Sequence, residues 1–219
     1  ATPFMLASLG EFLIERSGVL NLAIEGTMLF GALIAFLTLY FYHNFLLTIL
    51  ITLFSGFLIG IILWFLLVKI GCNQHVTGLG MTILLSGLSY FIYRSIFYSP
   101  KVQPTVEQQN PFLITSLSFF LYFLTIIIYK KTKYGLILKA CGDSAKNLDI
   151  AGYNPFLIRL FSLIIGSSLI SLGGLFLSVC QYNSFLFNIV GGRGWISLAL
   201  VSMGNWDPLS ILIFSLIFG

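Results

Sequence analysis

The sequence predicts an all-α, polytopic transmembrane bundle, and three observations carry that reading. Of 219 residues, 58% are hydrophobic and 8% charged, where a soluble domain carries roughly a quarter charged. The apolar residues fall in runs near the ~20 residues a helix needs to cross a bilayer, and the mean hydropathy is +1.01. The charges, finally, gather in one segment. Lys130, Lys131, Lys133, Lys139, Lys146 and Arg159 face only Asp143 and Asp149, and a basic island between apolar runs belongs in the cytoplasm.

From that anchor the elements follow in order. Residues 1–14 form the tail of one span, ending at Glu15-Arg16-Ser17-Gly18. Leu20 to Tyr42 crosses outward, His43-Asn44 turns, and Phe45 to Val68 returns to Lys69. Val76 to Tyr98 goes out again to an irregular loop from Ser99 to Pro111, punctuated by Pro100 and Pro104. Phe112 to Tyr129 comes back to the basic segment, Leu160 to Cys180 leaves it, Phe185 to Met203 re-enters, and Asn205-Trp206-Asp207-Pro208 turns into a last run. Six complete spans and two partial ones are expected. Residues 1–219 read as a single transmembrane domain incomplete at both ends, a piece of a longer protein, with residues 130–159 as its cytoplasmic loop. Arg16 and Lys69 fall inside, Arg94 and Lys101 outside, a minority that the charge rule tolerates.

Within the loop, Asp143 or Ser144 can cap a short helix carrying Ala145, Leu148 and Ala151 on one face. Gly152 can close it in a left-handed conformation, after which Asn154 caps and Pro155 opens the next helix. A helix so placed is suited to touching a partner. Small residues mark helix contacts elsewhere: Gly56 and Gly60 make a GxxxG pair, and Ser167, Ser171, Gly174 and Ser178 fall on one stripe.

Two segments match each other. Gly18-Val-Leu-Asn-Leu-Ala-Ile and Gly194-Trp-Ile-Ser-Leu-Ala-Leu each follow an arginine closely, Arg16 and Arg193, and run in opposite directions. An inverted repeat leaves such a trace and sets a substrate site near the membrane midplane. Gly191 to Gly194 also break their span, and a broken helix is tolerated in lipid only where it lines a cavity or is buried in protein. Glu25, with Asn21 one turn before it, is a polar group on a permeation path or a structural acid within the bundle; an ionisable group at that depth costs about 2.5–3.5 kcal/mol without a partner. Arg193 either borders the same path, with Gly192 and Ser197, or anchors at headgroups. Glu11 and Glu15 are expected in solvent at the inner end, and the Phe and Tyr content is read as lipid-facing and interfacial bulk.

Several classes are excluded. His43 and His75 lack metal-ligand spacing, the three cysteines suggest no disulfide framework, and no GxxxxGK[ST] phosphate loop is present. No metal or cofactor is expected, and the net charge of +4 fits anionic lipid rather than nucleic acid.

Longer blocks carry a family resemblance. Glu15-Arg-Ser-Gly-Val-Leu-Asn-Leu-Ala-Ile-Glu-Gly, Gly71-Cys-Asn-Gln-His-Val-Thr-Gly-Leu, Lys133-Tyr-Gly-Leu through Asp143-Ser-Ala-Lys-Asn-Leu-Asp-Ile-Ala-Gly, Gly192-Arg-Gly-Trp-Ile-Ser and Gly204-Asn-Trp-Asp-Pro occur in that order. Together they resemble membrane permeases of the simple-sugar and nucleoside branch of ATP-binding-cassette importers, related to the ribose-type and branched-chain amino acid permeases. Cys141 departs from the bulkier aliphatic usual there. The resemblance implies about ten helices, a second permease copy or sister, cytosolic ATPases and an external substrate-binding protein. It implies that Gly142, Asp143, Lys146, Asn147, Ala151 and Gly152 form the coupling segment that docks on the ATPase. Asn21, Glu25, Gly192 and Arg193 would border the path, and the form around Glu15 leans toward the nucleoside type. An ion-coupled secondary transporter, with Glu25 as its coupling acid, is the competing reading; a membrane-embedded enzyme would need an acid cluster that the sequence lacks.

Overall fold

The computed structural model describes residues 1–98 and 104–219; Pro100 and Lys101 lie outside them. All regular structure among the described residues is helical: α1 (Thr2–Arg16), α2 (Ile24–Tyr42), α3 (Phe45–Trp64), α4 (Gln74–Ile96), α5 (Pro111–Lys131), α6 (Lys133–Asp143), α7 (Ala145–Ile150), α8 (Pro155–Leu175), α9 (Arg193–Met203) and α10 (Pro208–Ile217). Helices α3 and α8 each end in a wider π-helical turn, Phe65–Ile70 and Phe176–Gln181. The helix starts follow sequence chemistry. Asn44, Asn73, Asn110, Ser144, Asn154 and Asp207 each accept a first-turn backbone N–H on the side chain, and Pro111, Pro155 and Pro208 occupy the next position, where no N–H is missed.

Helix α8 is the centre post. Three helices pack on it through small residues, among them Gly56, Gly60, Ser171 and Gly174 that the sequence singled out. A Cβ on Gly56 would come within 2.5 Å of the Ser168 Cα, and one on Gly60 within 2.7 Å of the Ile164 Cα. Gly31 meets Ser171, and Gly174 meets the carbonyl of Met28. On the other side, Gly10 and Gly166 face each other between α1 and α8. Backbones approach this closely only where no side chain intervenes, and in lipid that approach supplies the dispersion energy of association. Helix α5 lies outside α1, joined by the Ser8–Tyr122 hydroxyl contact at 2.7 Å. Ser8 also reaches Ser215 of α10 at 3.0 Å, so three helices share one buried polar knot.

Five helices are long and apolar enough to span: Ile24–Tyr42, Phe45–Ile70, Gln74–Ile96, Pro111–Lys131 and Pro155–Gln181. The sixth full span expected from Phe185 to Met203 is not one. Residues 182–192 are irregular and only α9 is helical, its eleven residues covering about 16 Å, half of a hydrocarbon core of about 30 Å. Glycines 191 and 192, both at positive φ, stop the helix where the hydropathy continues. The span starting at Leu20 is likewise shorter than expected. Residues 17–23 form an irregular strap and α2 begins at Ile24.

The basic segment is mostly helical. Beyond the short helix capped by Ser144, whose Oγ accepts the Asn147 N–H at 3.4 Å, the preceding residues form α6. Gly152 is left-handed at φ +87°, and Asn154 with Pro155 opens α8. Arg16, Lys69 and the basic residues of this segment share one end of the bundle, the basic end.

Candidate functional site

The strap climbs from the basic end into the bundle along α4. Gly18 packs on Gly142 of α6 and on the Arg159 guanidinium. The Leu20 N–H donates to Gln74 Oε1 at 2.8 Å, and Thr82 Oγ1 donates to the Leu22 carbonyl at 2.8 Å. Gly78 lets Leu22 lie against α4, and Gly26 lies against Thr82. From Gln74 to Thr82 is eight residues of helix, a climb of about 12 Å. Helix α2 therefore starts about 12 Å along α4 from the basic end, and α9 starts beside it, because the two starts touch.

Their junction is made by one side chain. Glu25, half-buried in the first turn of α2, accepts the Gly192 N–H on Oε1 and the Gly194 N–H on Oε2, both at 2.8 Å. The N-terminal N–H groups of a helix have no partner within it and carry the positive end of its dipole. Here the acid of one interrupted helix caps the other. A Cβ on Gly194 would sit 2.6 Å from Glu25 Oε2 and 2.8 Å from its Cα, so only glycine admits the approach.

Asn21 lies in the strap rather than one helical turn before Glu25. Its Oδ1 accepts the Ala23 N–H at 3.0 Å, and its Nδ2 donates to Glu11 Oε2 at 3.0 Å. Glu11, expected in solvent, is fully buried, and its Oε1 has no partner among the described residues. An acid within an apolar stretch is by default a marked position, and that signal was available for Glu11; its place near the end of α1 argued the other way. Replacing Asn21 by leucine is expected to remove the partner of Glu11 and the strap's own turn. That costs about 1–3 kcal/mol for a buried unpaired group, so thermal stability in detergent should fall together with uptake; loss of uptake at unchanged stability would give Asn21 a role on the path instead.

Arg193 is the first residue of α9, and its Nη1 donates to the carbonyls of Ile189 and Val190, both at 3.1 Å. Its Nη2 donates to Tyr182 Oη at 3.2 Å. The guanidinium thus ties down the irregular segment before the helix. Ser197 is buried and returns its hydroxyl to the Arg193 carbonyl at 2.9 Å. The structure brings Glu25, Gly192 and Gly194 together; Asn21 belongs to a second cluster with Glu11, and Ser197 to neither. The two matching sequence segments adjoin this contact, but 18–23 is an irregular strap with turns while 194–200 is helix, so they share no local conformation.

At the basic end, contacts lock the loop to the bundle. Arg16 donates from Nε to Tyr129 Oη at 2.7 Å and pairs with Asp143 at 3.7 Å. Trp206 Nε1 donates to Glu15 Oε2 at 2.6 Å, and Arg159 Nε donates to the Ser17 carbonyl at 3.3 Å. Lys130 meets Asp207 at 2.7 Å; burial pushes this carboxyl up, but the lysine's bond and charge outweigh it and hold it below its ordinary range. Of the loop residues named above, Gly142 is pressed against the Arg16 carbonyl and Gly18. Lys146, Asn147, Ala151 and Gly152 are exposed, as is Ile150 at 78%.

Residues 1–219 match the family model described as the branched-chain amino acid transport system / permease component. The chain belongs to this permease family. It is similar to a putative glucose ABC transporter permease of Haloferax volcanii, 30% identical over the whole chain and 72% of that protein. It is also similar to a guanosine ABC transporter permease of Bacillus subtilis and a nucleoside ABC transporter permease of Lactococcus lactis. Each is 27% identical over the whole chain and 77% of its own length. No solved structure gives a significant match. The permease is thus a multi-pass membrane protein and a transport subunit rather than an enzyme, which agrees with five spanning helices and a buried junction of interrupted ones.

Proposed function

We propose that the permease forms the translocation path of an ABC importer for a nucleoside or simple sugar in the cytoplasmic membrane. A second permease subunit completes the pore, an external substrate-binding protein delivers cargo, and separate cytosolic ATPases drive it. The observation that carries this reading is a continuous line of contacts from the exposed helix α7 to the buried junction. Gly142, just before α7, lies on Gly18; the strap leads from Gly18 along α4; and Glu25 joins its upper end to α9. A partner that moves α7 from the basic end would shift the strap and open or close the contact between α2 and α9, the two half-buried helix starts. Residues Gly142, Asp143, Lys146, Asn147, Ala151 and Gly152 then divide the work. Lys146, Asn147, Ala151 and Gly152 meet the ATPase, while Gly142 and Asp143, through Arg16, pass the movement on.

Each oxygen of Glu25 accepts a backbone N–H, which supports a structural acid over the coupling acid of an ion-coupled transporter. For the same reason Glu25→Gln is no clean discriminator, because an amide can accept only one of the two bonds.

Two measurements test the proposal. A cysteine at Asn147 should cross-link to the ATPase in membranes and resist an impermeant thiol reagent added outside intact cells; native Cys141 is buried, with its thiol pushed up by that burial despite Arg159, and Cys72 would be replaced. Ready labelling from outside would overturn the orientation. Gly152→Val places a β-branched residue at φ +87°, a strain of about 1–2 kcal/mol, with open space around it. The variant is expected to reach the membrane and leave ATP hydrolysis by the partner ATPases running while uptake falls several-fold; unchanged uptake would remove the docking role from α7.

A further inference from the structure

The aromatic residues are not evenly spread as lipid-facing bulk. Tyr90, Tyr93, Arg94 and Phe97 recur at helical spacing on one face of α4, toward its end away from the basic loop. Opposite them stand Phe185 and Phe187 from the irregular segment before α9. Between them lies a cleft of about 530 Å³, within the size range of small-molecule sites. Phe187 stacks on Tyr90 with ring centroids 4.1 Å apart and 24° between planes. Tyr93 contacts both Phe185 and Phe97 at 5.1 Å. Phe185 is buried, but Phe187 is 80% exposed, so one ring face is held by Tyr90 and the other is open. The segment is pinned there by the Asn188 N–H, which donates to Tyr90 Oη at 2.7 Å. Four residues further on, Gly192 is held by Glu25, which places the cleft directly beside the junction of interrupted helices.

We infer that this cleft is a nucleobase subsite at the outer mouth of the path. The inference rests on the importer reading and narrows its cargo to nucleosides over free sugars. A planar base finds a pre-positioned π-face on Phe187, and stacking is worth about 1–3 kcal/mol per base. Arg94, exposed at the rim, offers paired N–H donors that match the O6 and N7 acceptors of a keto purine better than any other base edge. A free sugar has neither a flat face nor that acceptor pair. Phe187 reaches this place because Tyr90 orders it, so the segment before α9 both closes the cleft and carries the Gly192 N–H held by Glu25.

The test uses the assembled transporter in cells, with labelled guanosine, adenosine and glucose. Wild type should take up guanosine. Phe187→Leu should raise its KM about ten-fold with a smaller change in maximal rate, and Phe187→Trp should restore it. Arg94→Gln should shift preference from guanosine toward adenosine, because a carboxamide matches the adenine N6 and N7 edge. An unchanged KM in Phe187→Leu would make the cleft an interfacial aromatic belt and overturn the inference, as would wild-type uptake of glucose alone; in both cases the importer reading stands. A wild type that moves neither nucleoside nor sugar would sink the cargo reading and the subsite with it.

Discussion

Glu25→Ala is expected to abolish uptake, to a tenth or less of wild type, and to lower thermal stability measurably in detergent. The carboxylate accepts two backbone N–H groups, from Gly192 and Gly194, at 2.8 Å each. Bonds to a charged acceptor are worth about 1.5–3 kcal/mol apiece. Truncation also strands the first N–H groups of α9, of which the Gly194 N–H is buried and has no replacement partner. The two losses are coupled, so a destabilisation of about 3 kcal/mol is expected rather than their sum. Glu25→Gln should fall between, keeping one bond and turning an amide N–H₂ toward the other donor. Gly194→Val tests the same junction from the opposite side, since a Cβ there would lie 2.6 Å from Glu25 Oε2, and should match the alanine variant. Full uptake by Glu25→Ala would show that the contact is incidental and would remove the junction from the transport path.

How much of this was legible in the sequence depended on the range of the contact involved. Helix starts were readable where a local cap exists, as at Asn154-Pro155 and Ser144, because the cap and its donor are two or three residues apart. The charge clustering marked the end of the bundle where Arg16 meets Asp143 and Arg159 meets Ser17. The two interrupted helices were only half visible. Gly191 to Gly194 marked the break before α9 but not the irregular stretch from Phe185, and hydropathy running from Leu20 into α2 gave no local sign that 17–23 leaves helical geometry while 24–42 keeps it. The strap stays out of helical geometry because its N–H and C=O groups find Gln74 and Thr82, more than fifty residues away. Glu25 could be marked as costly in lipid, but what offsets that cost lies in residues 192–194. Glu11 was misplaced because its distance from the end of α1 suggested water, whereas Asn21 returns from the strap to cover it. Small residues were the exception among long-range features. Their spacing on α3 and α8 announced a seam, since lipid offers little other reason to keep side chains absent along one stripe.

That seam makes the strongest prediction about folding. Gly174→Val should leave no monodisperse protein on size-exclusion chromatography in detergent, whatever the state of the transport machinery. A Cβ at 174 runs into the Met28 carbonyl and lies 2.8 Å from the Ala32 nitrogen. Both are backbone atoms, so no rotamer change relieves the contact and the two helices must separate. Over-packing a core costs about 1–3 kcal/mol where side chains can give way; here the whole α2–α8 crossing, which Gly31 and Ser171 share, would have to shift. Gly31→Val, with a Cβ 2.6 Å from the Ser171 Cα, should behave alike. The contrast is Gly87→Val on α4, where a Cβ meets nothing within 4 Å and the chain should fold as wild type. If Gly174→Val and Gly87→Val give equal yields of folded protein, α8 is not the post on which the bundle is built. If instead only Gly174→Val fails, loss of uptake in any seam variant reports lost structure, and the Glu25 variants alone speak to transport.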